Sequence, residues 1–267
     1  MMTAASTPAS TAPMQVSILG IMPPWMVPSI ISCRASPRVS LGIKAPSLSS
    51  TPATSVSINR RWAPTAPAID PATLTRLTVV GDDGNNVINL STVTGAFFNP
   101  NLEIIVDGGD GDDFITGSLD IASTLNGGDG TDVLFGGTQA DSLTGGDGQD
   151  LLNGRDGDDT LNGGDGGDII NGEVGDDIVN GGSSGDTING GSGDDTINGQ
   201  SGNDDIFGDT DDDVIDGGSG SDTIDGGIGD DSISGGSEPD SLLGNVGADT
   251  LNGDGGNDSL FGGDDDD

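Results

Sequence analysis

From residue 127 to residue 261 the chain repeats a nine-residue unit fifteen times with no insertion or deletion. A short period held that long leaves one kind of architecture, a turn-and-strand unit stacked on copies of itself. Aligning the units shows what the stack requires. The first place is Gly, the sixth Asp, and the eighth Leu, Ile or Val in all fifteen. The second place is Gly in nine units, the fourth is Gly in eleven, and the ninth is Asn in seven. A full unit at 108–116 precedes the run, and a partial unit at 262–267 follows it. Between them, the degenerate stretch 117–126 shifts the phase by one residue, which predicts a roll divided into a short and a long stack. An earlier echo, GDDGNNVIN at 81–89, carries Asn86 where later units carry Asp.

The last three residues of a unit, such as Thr196, Ile197 and Asn198, read as a short strand. Its middle aliphatic points one way and its neighbours the other. The six residues before it are glycine-rich and unbranched, and reverse the chain. Two units then close one coil, and stacked coils pair as parallel strands roughly 4.8 Å apart. The predicted fold is all-β: a parallel β-roll, or β-solenoid, with a thin aliphatic core and ninth-place Asn laddered outside.

Stacking also places the aspartates in columns along each edge. Carboxylates about 5 Å apart repel by roughly 1 kcal/mol in water and by several at a surface dielectric. Over fifteen units that rivals the ~5–15 kcal/mol net stability of a domain. A cation between coils turns the repulsion into attraction. The oxygens on offer, carboxylate and backbone carbonyl, are hard ligands. The chain has no His and its one Cys, Cys33, lies far from the repeats, which argues against Zn²⁺ or Cu²⁺. Ca²⁺ takes six to eight oxygens in flexible geometry and accepts loop carbonyls better than Mg²⁺ does. The predicted Ca²⁺ ligands are therefore the sixth-place residues: Asp113, Asp132, Asp141, Asp150, Asp159, Asp168, Asp177, Asp186, Asp195, Asp204, Asp213, Asp222, Asp231, Asp240, Asp249 and Asp258.

GGDGQDLLN, GGSGDDTIN and GGSGSDTID resemble the G-G-x-G-x-D-x-aliphatic-x nonapeptide of RTX (repeats-in-toxin, haemolysin-type) proteins. The resemblance covers 108–116 and 127–267. It implies a parallel β-roll, Ca²⁺ held by sixth-place Asp and loop carbonyls, and export to a Ca²⁺-rich exterior. Family members often leave the cell by type I secretion, on an uncleaved signal after the repeats. Here the sequence stops inside a unit at Asp267, so that signal is not part of it. Gln139, Ser184, Asp211 and Glu238 replace the fourth-place Gly, with Pro239 beside the last of them. Those loops are expected to bind more weakly or to bulge.

The rest of the chain differs in character. Residues 1–80 carry six basic side chains against Asp70, whereas 81–267 carry Arg155 against forty-four acids. So acidic a block repels nucleic acid and anionic lipid and leaves cations as its partners. Residues 1–76 hold eleven of the thirteen prolines and all five methionines, and read as a disordered leader. The spacing of Pro28, Pro37, Pro46 and Pro64 echoes the repeat, so a mistranslated copy of repeat DNA is the alternative. Residues 77–107, with LTVV and LEIIVD, read as a β-rich N-terminal cap. The short apolar run 16–22 has no basic residue before it, a poor match to a secretory signal. No run reaches the length of a transmembrane helix.

No catalytic constellation is expected. GGSSG at 181–185 fits the G-x-S-x-G nucleophile pattern, but that pattern needs a strand-to-helix turn and a histidine base. The acidic run at 209–213 lacks the Gly and Glu of an EF-hand and is a variant repeat loop. The expected function is that of a secreted Ca²⁺-binding β-roll, not an enzyme, acting in folding, export or surface association. The alternatives are a structural or adhesive rod, and a non-catalytic remnant of a larger RTX toxin, protease or lipase. Any cell-surface or toxin-domain partner is unspecified.

Overall fold

The computed structural model describes residues 74–96, 98, 99 and 101–264, with the backbone of three upstream strands, Met14–Ser17, Ser40–Ile43 and Val56–Ser57. Apart from those strands and residues 74–76, the expected leader 1–76 lies outside the described residues. Every regular element described is a strand. From Arg76–Val80 onward successive strands alternate between two sheets, so the chain winds as a parallel solenoid of about nine turns through the repeats. The first sheet begins with Met14–Ser17, Asn86–Asn89, Phe114–Thr116 and Val133–Phe135, and ends with Ser259–Asp264. The second contains Arg76–Val80, Glu103–Asp110, Ser123–Asp129 and Ser142–Asp147, and ends with Thr250–Asn252.

Register follows the repeat. Within each sheet a residue pairs with the one eighteen positions on, as Leu143 with Leu161 and Ile170 with Ile188. All eighth-place residues therefore stack in two facing rows, and from Leu134 to Leu242 each is at most 2% exposed. Strands Arg76–Val80 and Glu103–Asp110 pair in the same parallel sense, Leu77 with Ile104 and Val79 with Val106. They belong to the first two coils of the roll, clipped together by the Arg76–Glu103 ion pair.

Two features differ from the sequence expectations. First, the strands span six residues, as in Thr160–Asp165, and the reversal occupies only places four to six. Glycines at places one and two lack β-propensity and read as turn, yet they belong to the ladder, as Gly146 pairs with Gly164. The second place has positive φ, 122° at Gly146 and 113° at Gly164. Second, the 117–126 stretch does not divide the roll. Strand Ser123–Asp129 pairs with both Glu103–Asp110 below and Ser142–Asp147 above. The extra residue is taken up locally. Ile121 fills the core, and the buried Ser118 hydroxyl donates to the Val93 carbonyl.

A side-chain rule emerges where the second place is not glycine. Six such residues keep the positive φ, between 57° and 84°, and each reaches the ninth-place residue twenty positions earlier. Asn153 donates to Glu173, Asn189 to Asp209, Ser234 to Asp254 and Gln200 to Asn180. Asn245 donates to Asp225, and the Arg155 guanidinium lies 4.9 Å from the Phe135 ring centroid. These contacts offset the strain of a left-handed non-glycine residue. Ninth-place Asn residues do stack in register, Asn153 on Asn171. Their amides turn to the second-place side chains where those are present.

Candidate metal centre

Each coil has two turns, so the sixth-place residues form two columns. The first edge carries Asp113, Asp132, Asp150, Asp168, Asp186, Asp204, Asp222, Asp240 and Asp258; the second carries Asp141, Asp159, Asp177, Asp195, Asp213, Asp231 and Asp249. Within a column every aspartate repeats one contact. Its Oδ1 accepts the backbone N–H of the sixth-place residue one coil below, as Asp150 does from Asp132 at 2.7 Å and Asp195 from Asp177 at 2.7 Å. Two residues outside the predicted ligand set close the columns from below. Asn86 donates its N–H to Asp113, and Ser123, standing in the sixth place of the degenerate stretch, donates to Asp141. Asn86 was visible as an echo; Ser123 was hidden by the phase shift.

The second carboxylate oxygen is the informative one. Oδ2 is buried without a hydrogen-bond partner in Asp113, Asp132 and every sixth-place Asp from Asp150 to Asp249. Two members of the predicted set differ. Asp258, in the last coil, is less buried. Asp141 uses its Oδ2 to accept the Gly137 N–H at 2.5 Å. Its turn carries Gln139 in the fourth place, one of the departures seen in the sequence. Ser184, Asp211 and Glu238 behave otherwise, keeping the turn with φ of 81°, 84° and 74°.

The invariant first glycine belongs to the same site. A Cβ on Gly163 would lie under 3.0 Å from both Asp168 Oδ2 and the Gly181 carbonyl of the next coil. The same clash with the unit's own Asp recurs at every first-place glycine from Gly108 to Gly253. Most of these turns thus hold a carboxylate oxygen and a carbonyl oxygen close together over a bare Cα. Among the described residues no three acidic, Cys or His side chains converge, so carbonyls must complete any cation's shell. Hard, oxygen-only donors with an orphaned buried carboxylate oxygen fit Ca²⁺. Gly163→Ala is expected to lower stability by about 1–3 kcal/mol, the cost of forced overpacking. Gly167→Ala, whose nearest neighbour would be the Gly185 carbonyl at 3.0 Å, should cost less. Thermal unfolding of both variants at one fixed Ca²⁺ concentration checks the order.

Burial sets the electrostatics. It pushes the carboxyl groups of Asp150, Asp159, Asp177 and Asp186 up to about 7, and that of Asp213 to about 8. Asp113, Asp141, Asp195 and Asp204 rise to about 6. The backbone N–H accepted by each opposes the shift, and the charge of neighbouring aspartates adds to it in nearly all of them. Carboxylates whose charged form is disfavoured by burial and by like-charged neighbours are carboxylates that favour a bound cation.

The GGSSG segment lies at the end of a repeat strand, not at a strand-to-helix turn. Ser183 ends strand Ile178–Ser183, and its hydroxyl donates to Asp165 at 2.8 Å. Asp213, at the end of the acidic run, is an ordinary column member.

At the level of sequence families, the RTX calcium-binding nonapeptide repeat matches residues 105–120, 126–161, 153–188, 180–215, 207–242 and 234–267. No curated protein matches the chain. The matched segments take in everything from residue 105 onward except 121–125, the part where the phase shifts. With the two-column roll that these repeats build, the chain belongs to the RTX calcium-binding nonapeptide-repeat family.

Proposed function

We propose that this chain is a secreted, Ca²⁺-dependent β-roll whose sixth-place aspartates and turn carbonyls hold Ca²⁺ between coils. The observation that carries this reading is the pair of columns of buried Oδ2 atoms without partners. When bound, the cation supplies the positive charge that those oxygens lack. The chain's own residues do the rest. Oδ1 is tied to the coil below, the first glycine leaves room, and the eighth-place aliphatics fix the coil spacing. The site needs a compartment with Ca²⁺ near 10⁻⁴–10⁻³ M, the range of extracellular modules, which supports an exported protein. There the roll works as a folding, export or surface-association module without chemistry of its own. Hydrolase assays should show no activity, and Ser183→Ala should change nothing.

A Ca²⁺ titration followed by circular dichroism tests the ligand assignment. Sites in a one-dimensional stack depend on both neighbours. Asp195→Ala, with coils on both sides, should therefore raise the Ca²⁺ midpoint more than deletion of residues 262–267. An Asp195→Ala chain with an unchanged midpoint would remove the sixth-place aspartates from the ligand set.

A further inference from the structure

The two edges of the roll are not equivalent, and the difference lies in the fifth place. On the second edge five successive units carry Asp there: Asp158, Asp176, Asp194, Asp212 and Asp230. On the first edge, from residue 127 onward, every fifth place is neutral, as at Gln149, Gly167 and Asn203. The fifth and sixth carboxylates of one turn point in opposite directions along the stack. Asp158 Oδ1 accepts the N–H of Asp176 in the coil above at 3.2 Å, whereas Asp177 Oδ1 accepts that of Asp159 in the coil below at 2.7 Å. The gap between those two coils is therefore framed by two carboxylates, Asp158 from beneath and Asp177 from above. The pattern repeats for Asp176 with Asp195, Asp194 with Asp213, Asp212 with Asp231 and Asp230 with Asp249. In each pair the sixth-place carboxyl is more than nine-tenths buried and its Oδ2 has no partner. The first edge has one such gap, Asp112 with Asp132, at its base.

Resting on the Ca²⁺ reading above, we propose that these double-carboxylate gaps are the high-affinity cation positions of the roll, so that the second edge loads before the first. Charge count in the site is a principal determinant of Ca²⁺ affinity. A second carboxylate on the same gap raises affinity by about tenfold when its field is only partly screened. The repeat of function is then eighteen residues, one coil, and the nine-residue period masks two classes of turn.

Calorimetry of the full chain with Ca²⁺ tests this. The wild type should show a tighter class and a weaker class. Asn at the five second-edge positions, Asp158→Asn, Asp176→Asn, Asp194→Asn, Asp212→Asn and Asp230→Asn together, should weaken the tight class about tenfold. Asn keeps the acceptor for the next coil, as Asn203 Oδ1 does for the Ser221 N–H at 2.9 Å, so the turn itself is retained. A control with the same loss of charge elsewhere, Asp129→Asn, Asp147→Asn, Asp156→Asn, Asp165→Asn and Asp216→Asn, should move the tight class less than about twofold. Conversely, Gln149→Asp and Asn203→Asp should create additional tight sites on the first edge. One class of sites in the wild type, or equal shifts in the two multiple variants, overturns the proposal while leaving the roll a Ca²⁺ binder. No Ca²⁺ heat at all overturns both.

Discussion

In chelator at neutral pH the chain should lose its β-sheet circular dichroism, and Ca²⁺ should restore it. The folded roll buries the orphaned Oδ2 of Asp113, Asp132 and each sixth-place Asp from Asp150 to Asp249. Holding even one ionised carboxylate away from water without a counter-charge costs several kcal/mol. A few such costs exceed the ~5–15 kcal/mol by which domains are stable. The core that must oppose them is thin, one aliphatic per unit, and the last coil leaves Leu260 44% exposed. Binding free energy is then folding free energy, and the transition should be cooperative because each gap needs both of its coils. Its midpoint should fall near 10⁻⁴–10⁻³ M, and Mg²⁺, which holds tightly to its waters, should be a poor substitute. A full β signal in chelator at neutral pH, or an equal response to Mg²⁺, would defeat the mechanism.

The parts of this design legible in the sequence are those set by one residue at a time. Invariance at the first, sixth and eighth places dictated the coil, the columns and the core, and Leu152, Asp159 and Gly163 stand where the alignment predicts. What escaped depends on direction. Strand length was underestimated because Gly145 and Gly146 carry no β-propensity, although the register pairs Gly146 with both Gly128 and Gly164. The second-to-ninth-place contacts, such as Glu173 with Asn153, span twenty residues and become visible only once the second place is known to lie on a strand. The phase shift at 117–126 looked like a break because Ser123 does not resemble Asp. Its backbone N–H is what the column needs, and any residue other than Pro supplies that. The difference between the two edges was hidden by the nine-residue alignment itself, which superimposes alternate units that face opposite ways.

Acid should partly replace Ca²⁺. From Asp113 to Asp240 burial raises the sixth-place carboxyls above the ordinary 3.8, to about 7 at Asp159 and Asp177 and about 8 at Asp213. For a carboxyl raised on folding, the folded state binds more protons than the unfolded chain between the two values. Stability from these groups is therefore highest below about pH 4 and falls as pH rises through the window from about 4 to 8. In chelator, lowering the pH from about 8 to about 5 should bring back β signal, because a protonated Asp carries no charge into the turn. Nature supplies the neutral version at the base of the first column. There Asn86 sits buried, and its amide donates to the Asp113 carboxylate at 3.1 Å. About pH 5 also stays above the pI of 4.1, so net charge still opposes aggregation. The same linkage runs the other way. Protons and Ca²⁺ compete for one set of oxygens, so the Ca²⁺ midpoint should rise as pH falls from about 8 to about 5. A chain that is equally unstructured in chelator at both values, with a Ca²⁺ midpoint independent of pH, would show that the buried carboxylates are not where the cation is held.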